Sequence, residues 1–265
     1  MEINKLFDVS GKVVVVTGGS RGIGEMITSG FLANGAKVYI SARKAPALME
    51  KAKELSEKYN GECIAIPCDL STLEGMDYFT QQITEKEKGI DFLINNAGAA
   101  WGEPLEDFSE TGWDKVMDLN VKSIFFLTQK LKSLLKTNAT IEDPSRVINI
   151  GSIDGLNVPA FETYSYSTSK AAVHHLTRVL ANKLVKEDIL VNAIAPGPYP
   201  SAMLGSAVNS DYSFIADANP RKRVGTPEDI AGLAIFLCSR AGAYTVGETI
   251  TSDGGLVKTA GHNLG

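Results

Sequence analysis

Four consecutive valines, Val13 to Val16, run directly into Thr17-Gly18-Gly19-Ser20-Arg21-Gly22-Ile23-Gly24. β-Branched side chains favour a buried strand, and the glycines remove the Cβ atoms that would crowd a sharp turn into a helix. Such a turn leaves the first helical N–H groups without internal partners at the positive end of the helix dipole, a setting that suits a pyrophosphate. The spacing is TGxxxGxG and not GxGxxG. On these residues alone, a nucleotide site and a merely tight βα connection both stay open.

The chain that follows completes a βαβ unit of about 30 residues. Met26, Ile27, Phe31 and Leu32 recur at helical spacing up to a stop at Asn34-Gly35, and 36–41 reads as a second strand. Beyond it comes Ser41-Ala42-Arg43-Lys44, where an NAD site would place a carboxylate for the ribose 2′-hydroxyl. Arg43 and Arg21 can instead pair with a 2′-phosphate, which points to NADP(H); the alternative is that both are solvated surface charges. The patterning predicts further helices over 46–59, 113–136, 166–185 and 226–237, and strands over 63–67, 91–94, 147–150, 190–194 and 248–251. Alternating β and α segments without repeats or linkers predict an α/β fold, one doubly wound seven-stranded parallel sheet with helices on both faces, forming a single domain over 1–265.

Composition narrows the partners. At 44% hydrophobic and 22% charged residues a core can be built, and a net charge of −5 without a dense basic block weighs against nucleic acid or an anionic membrane. No apolar run approaches the roughly 18 residues of a membrane span, and Met1 to Ser10 does not resemble a signal peptide, so the chain reads as cytoplasmic. Cys63, Cys68 and Cys238 lack CxxC or histidine spacing and are expected as buried free thiols, with no metal site.

The residues with chemistry to offer follow strand ends. Asp69, after the third strand, can accept from an adenine amino group or cap the next helix. Asn95-Asn96-Ala97-Gly98 offers small residues against which a flat ring can lie. Asn120 sits inside a helix, where asparagine lowers helix propensity and asks for a reason. Tyr166 and Lys170 lie four apart on one helix face, and a lysine ammonium beside a phenol favours the phenolate, lowering the tyrosine pKa. The second long helix is apolar over a broad arc, which suggests burial against another subunit. His174 and His175 read as helix-packing or interface residues. Residues 199–223 are weakly patterned and read as a substrate lid, with Lys222 and Arg223 either a solvated cluster or a contact for an acyl-carrier phosphate.

Taken together, Thr17-Gly18-x-x-x-Gly22-x-Gly24, Asn95-Asn96-Ala97-Gly98, Asn120, Ser152, Tyr166-x-x-x-Lys170 and Pro196-Gly197 resemble the short-chain dehydrogenase/reductase family, over about Val9 to Val257. The resemblance implies a Rossmann domain, assembled as a tetramer or dimer, in which Tyr166 exchanges the proton as hydride moves to or from a nicotinamide. It further implies that Lys170 holds the nicotinamide ribose, Ser152 bonds the substrate oxygen, and Asn120 holds a water linking Lys170 to solvent. Cofactor contacts are expected from Gly18, Ser20, Arg21, Gly22, Ile23, Gly24, Arg43, Asp69, Leu70, Asn96, Ala97, Gly98, Tyr166, Lys170, Pro196, Gly197, Tyr199 and Ser201. Ser201 stands where the family commonly has threonine. The Ser152-to-Tyr166 interval, about one residue longer than is usual, and Pro200-Ser201-x-Met203 look most similar to β-ketoacyl reductases of the rhamnolipid-pathway type. Asp154 and the apolar Trp101, Leu156, Val158, Phe161, Met203 and Leu204 are expected around a small-molecule carbonyl or alcohol, or else simply anchor their loops. Three activities follow as expectations: NADPH-dependent reduction of a ketone, such as a 3-oxoacyl thioester; oxidation of a secondary alcohol or sugar; and nucleotide binding without turnover.

Overall fold

The computed structural model describes residues 2–159, 161–201, 204–205 and 211–259. Seven parallel strands form one sheet in the order β3-β2-β1-β4-β5-β6-β7: β1 Val13–Thr17, β2 Lys37–Ala42, β3 Cys63–Pro67, β4 Phe92–Asn95, β5 Ser145–Ile150, β6 Ile189–Pro196 and β7 Thr249–Ser252. The helices are the single turn α1 Ile3–Leu6, then α2 Gly22–Ala33, α3 Ala45–Tyr59, α4 Leu73–Thr84, α5 Glu110–Met117, α6 Ser123–Asn138, α7 Tyr164–Leu184, the short α8 Ser213–Ala218, and α9 Pro227–Cys238.

The period of two along each strand divides the core. Val14, Val16, Val38, Ile40, Phe92, Ile94, Ile148 and Ile150 bury against α2, α3 and α9 through Ile27, Phe31, Leu48, Leu55, Ile230 and Leu237. Val15, Tyr39, Leu93 and Val147 point the other way, onto Phe79 and Ile83 of α4, Leu127 and Leu131 of α6, and Leu184 of α7. Both faces are covered, which is why the strands read as continuous apolar runs. The chain builds outward from β1 to β3, then returns to pair β4 on the other side of β1. This reversal opens a crevice beyond the carboxyl ends of β1 and β4, the place where open α/β sheets take ligands.

Three elements differ from the sequence reading. The segment between β3 and β4 holds α4, whose Met76, Phe79 and Ile83 are fully buried and whose N-cap is Thr72, accepting from the Gly75 N–H at 3.0 Å. Asp69 therefore does not cap it. The helix expected over 113–136 is broken into α5 and α6 by a π-helical turn, Asp118–Lys122, at Asn120. Within 199–223, α8 supplies a helical turn and a half. Asn34 and Gly35 end α2 as expected, with Gly35 at φ +77°.

A buried cation closes the sheet onto α9. Arg146 on β5, 1% exposed, donates from Nε to the Leu237 carbonyl at 3.1 Å, from Nη2 to the Ser239 carbonyl at 3.3 Å, and from Nη1 to the Pro144 carbonyl. Two of these acceptors are orphan carbonyls at the end of α9, where positive charge complements the helix dipole. Arg146→Ala is expected to cost about 3 kcal/mol by stranding those carbonyls and leaving a void. Urea unfolding should show a lower midpoint at an unchanged m-value; an unshifted midpoint would remove Arg146 from the stability of the sheet.

Candidate active site

At the crevice the glycine turn folds back on itself. Gly18 and Gly22 adopt φ of +64° and +54°, and a Cβ on Gly24 would stand 2.2 Å from the Gly18 carbonyl oxygen, so close packing demands glycine there. Among the described residues no hydrogen bond engages the N–H groups of Arg21, Gly22, Ile23 or Gly24, and these are the unpaired donors of the α2 N-terminus. Asn96 ties this turn to β4. Its side-chain amide donates to the Thr17 and Gly18 carbonyls at 2.9 and 3.2 Å, while Thr17 Oγ1 accepts the Asn96 and Ala97 N–H groups, each at 2.9 Å. Asn96 is thus a clamp between two strand ends as well as a small-residue step.

A cavity of about 1640 Å³ lies over the turn, larger than the 300–1,000 Å³ that a drug-sized ligand fills. Gly18, Ser20, Arg21, Gly22, Ile23, Gly24, Arg43, Asp69, Leu70, Asn96, Ala97, Gly98, Pro196, Gly197, Tyr199 and Ser201 all line it, as do Ser152, Tyr166 and Lys170. Arg21 and Arg43 are exposed at its rim. Asp69 makes a tight turn, accepting from the Ser71 N–H at 3.0 Å and the Ser71 hydroxyl at 2.7 Å. Burial raises its carboxyl, but the two Ser71 bonds and the charge of Arg43 outweigh this and leave it below the ordinary carboxylate range.

Beside Gly98 the polar groups gather. Lys170 is 4% exposed and donates from Nζ to the Ile150 carbonyl at the end of β5, at 2.8 Å; Nζ lies 5.5 Å from the centre of the Tyr166 ring. Burial drops the lysine to about 8, with the carboxylate of Asp154 pulling it back up. The Tyr166 phenol is pushed up to about 12 by burial, lowered by a hydrogen bond with Ser152 and raised again by Asp154. The expectation that Lys170 lowers the phenol is not met, because desolvation outweighs any help the ammonium gives across that separation. A Cβ on Gly98 would stand 3.3 Å from Asn120 Oδ1 and 3.7 Å from Lys170 Nζ, so glycine leaves open the space above both.

Asn120 explains its own break in the helix. Fully buried, it accepts the Ala99 N–H at 2.8 Å and donates to the Ala99 carbonyl at 3.0 Å and to Ser169 Oγ at 2.9 Å. Ser169 in turn donates to the Tyr166 carbonyl at 2.7 Å. Both amide hydrogens are used, so the side chain fastens the β4 loop to α7; the π turn is the backbone's way of aiming it inward.

Of the residues expected around a substrate, Asp154, Phe161 and Leu204 line the cavity. Trp101 does not. Its ring lies where a Cβ on Gly112 of α5 would approach to 2.3 Å, under the Lys115 ammonium at 4.4 Å, so the absence of a side chain at Gly112 drew it away. Leu156 and Val158 are exposed at 43% and 96% and also lie outside the lining, on the solvent side of their loop. Met203 lies outside the described residues. Lys222 and Arg223 are engaged, Lys222 with the Asp217 carbonyl at 2.6 Å and Arg223 with both oxygens of Asp229 at 2.5 and 3.0 Å. His174 is a packing residue, 3% exposed and wedged against Gly151 and Gly155 beneath Ser152. The lining residues Lys44, Lys51, Glu103, Glu162 and Ile215 carry no sequence signal, since loop and helix-flank positions have no periodicity to betray them.

A family model described as enoyl-(acyl carrier protein) reductase matches residues 18–257. The chain is 47% identical over 251 residues to the rhamnolipids biosynthesis 3-oxoacyl-[acyl-carrier-protein] reductase of Pseudomonas aeruginosa, covering 94% of this chain and 97% of that one. It is 34% identical to the 2-dehydro-3-deoxy-D-gluconate 5-dehydrogenase of Escherichia coli, with 94% and 96% covered. Among solved structures, the Pseudomonas aeruginosa RhlG/NADP active-site complex superposes with a TM-score of 0.91 at 45% identity, covering 97% of this chain and all of that one. L-Sorbose reductase from Gluconobacter frateurii, complexed with NADPH and L-sorbose, gives 0.87 at 30% identity, with 96% and 99% covered. With its glycine turn, its seven-stranded parallel sheet and matches along almost its whole length, the chain belongs to the short-chain dehydrogenase/reductase family.

Proposed function

We propose that the chain is a single cofactor-binding and catalytic domain that reduces a ketone to a secondary alcohol with NADPH. One observation carries this reading: Ser152, Tyr166 and Lys170 converge on the cavity that the glycine turn also lines. The cradle fits a dinucleotide in its unpaired α2 N–H groups, its bare glycines and the two arginines at its rim, and the NADP and NADPH complexes of the structural relatives are of the same kind. NADPH, when bound, supplies the hydride.

The protein's part is the proton and the positioning. Tyr166, held protonated by burial, donates its phenolic hydrogen to the carbonyl oxygen as charge develops there. Ser152 shares that oxygen through its hydroxyl, and its N–H and O–H geometry is fixed by the turn that His174 supports from below. The Lys170 ammonium holds the ribose side of the site and stabilises the phenolate electrostatically once the proton has left. Asn120 positions the Tyr166 turn of α7 through Ser169. Residues 199–223 act as the substrate lid: Tyr199, anchored to Ser252 Oγ at 2.6 Å, is its base, and Leu204 and Ile215 face the cavity. The same phenol serves as acid in reduction and as base in the oxidation of an alcohol or sugar suggested by the dehydrogenase relatives, and the reading as a reductase rests on the NADPH preference expected of Arg21 and Arg43 and on the similarity to a 3-oxoacyl reductase. Intact Ser152, Tyr166 and Lys170 argue against nucleotide binding without turnover. A dimer or tetramer in the cytoplasm completes the proposal.

Tyr166→Phe should lower kcat at least about 100-fold while leaving NADPH binding, read by fluorescence titration, within about twofold; retained turnover would reject the phenol as acid. Arg43→Asp should move the NADPH-to-NADH ratio of kcat/KM toward NADH by about tenfold or more, since the variant trades a phosphate partner for a repulsive charge. An unchanged ratio would place Arg43 outside the 2′-phosphate site. The pH dependence follows from Lys170. Its ammonium is present below about 8 and lost above it, while the phenol stays protonated to about 12, so kcat/KM for NADPH should be flat on the acid side and fall as pH rises through about 8. A flat profile through pH 9.5 would show that the charge on Lys170 is not used.

A further inference from the structure

The kind of ketone is written in the charge on the cavity wall. Arg21, Arg43, Lys44 and Lys51 line the part formed by the glycine turn and the start of α3 together with Asp69, Glu50 and Glu54, and Lys51 is already paired with Glu25 and Glu54 at 3.1 and 2.7 Å, which leaves the arginines and the free α2 N–H groups to meet an anion there. Around Ser152 the acidic lining residues are Glu103, Asp154 and Glu162, and the cation there, Lys170, is buried against the Ile150 carbonyl. Two of the three carboxylates are occupied. Glu103 accepts the Ser109 N–H and hydroxyl at 2.7 and 2.8 Å, and Glu162 accepts the Tyr164 hydroxyl at 3.1 Å.

Asp154 is different. Its own N–H donates to Ser152 Oγ at 3.1 Å, which fixes it one turn from the hydroxyl expected to meet the substrate oxygen. Its carboxylate has no hydrogen-bond partner among the described residues, although it is partly buried in the cavity wall. A partly desolvated carboxylate is hydrated less well than a free one, so a ligand that brings an O–H or N–H supplies a donor that the wall lacks, whereas a ligand that brings a second carboxylate meets like-charge repulsion. Burial raises the Asp154 carboxyl and the charge of Lys170 lowers it again, as expected of a group that feels both the cavity and the catalytic lysine.

We propose that Asp154 is a specificity-determining residue: it accepts a hydrogen bond from an O–H or N–H donor carried near the ketone, and with Glu103 and Glu162 it excludes ketones that bear a carboxylate there. The substrate class is then an uncharged, donor-bearing ketone. A hydroxy ketone or neutral sugar presents an O–H, and the thioester arm of a 3-oxoacyl group presents an amide N–H; a keto acid presents the wrong charge. The inference rests on the reductase reading above and narrows it away from sugar acids.

Matched ketones test it, with NADPH oxidation followed for the parent, Asp154→Asn and Asp154→Leu. Ethyl 3-oxobutanoate against 3-oxobutanoate isolates charge, hydroxyacetone against butanone isolates an O–H donor, and the N-acetylcysteamine thioester of 3-oxobutanoate against its S-butyl thioester isolates an amide N–H. The parent should prefer the neutral ester to the acid by about tenfold or more in kcat/KM, and Asp154→Asn should cut that preference by about tenfold, chiefly through KM for the acid. Preference for one of the two donor-bearing ketones should persist in Asp154→Asn, whose amide oxygen still accepts, and disappear in Asp154→Leu; which one shows it tells the O–H source from the N–H source. Because a variant can fail to fold, the parent also carries its own test: added salt should raise kcat/KM for the acid and leave the ester unchanged. A parent that reduces acid and ester equally at low salt, or an acid-to-ester ratio untouched by Asp154→Asn, overturns the proposal while the reductase reading stands. Turnover of none of these ketones overturns both.

Discussion

The site depends on how the ends of β1 and β4 are fastened. Neighbouring parallel strands pair through their backbones only as far as their last residues, and beyond them two loops leave in different directions with unpaired groups. Thr17 Oγ1 and the Asn96 amide supply four hydrogen bonds across that gap, two to N–H groups and two to carbonyls. The glycine turn then needs no side chain of its own to hold its shape. That leaves its N–H groups free for an anionic ligand, which a self-satisfied turn would not do. The same logic recurs one strand over, where the Asn95 amide meets Asn149 Oδ1 at 2.9 Å and Asn149 meets Thr177 Oγ1 at 3.0 Å, joining β4, β5 and α7 beneath the site. Buried amides fix register where apolar packing would allow sliding.

Such order has an electrostatic purpose at Lys170. A buried ammonium is unfavourable unless its hydrogens are engaged, and here one of them meets the Ile150 carbonyl while Asp154 supplies distant counter-charge. Burial thereby brings the lysine to the edge of ionisation and drives the tyrosine the other way. The two groups are pushed apart in pKa by one cause, desolvation, and the outcome is a neutral acid beside a cation of adjustable charge. A lysine and tyrosine four apart on an exposed helix would behave differently, since water would erase both shifts.

Much of this was legible in the sequence because it rests on local rules. The parallel, doubly wound sheet follows from the alternation of β and α segments, the glycine turn from its missing Cβ atoms, and the Tyr166–Lys170 face from helical periodicity. What was not legible depends on groups far apart in the chain. The lowered phenol expected from spacing alone ignored burial, which no local pattern reports. Trp101 looked like a substrate contact until Gly112, a helix residue with no evident motif, proved to make room for its ring. Asn120 announced an anomaly but not its purpose, because its partners Ala99 and Ser169 come from other elements. The helix α4 passed unread between two strands although Met76, Phe79 and Ile83 mark one face.

Net charge illustrates the same limit. At −5 the chain as a whole repels anions at long range, yet the proposed cofactor is a polyanion. Screening resolves this: beyond roughly 8 Å at physiological salt the global field is largely lost, and what a ligand meets inside the crevice is the local arrangement of charges. That arrangement differs along a single cavity: Arg21 and Arg43 stand beside free helix N–H groups, with Asp69, Glu50 and Glu54 also on the wall there, while Asp154 stands beside Ser152. An elongated ligand with phosphates at only one end has one favourable direction in which to lie, and on the proposal for Asp154 a second anion is turned away from the ketone. Orientation thus comes from where the free N–H groups and the arginines lie, and selectivity from the carboxylate proposed to face the ketone, local features that a summed charge or an isoelectric point averages out of sight.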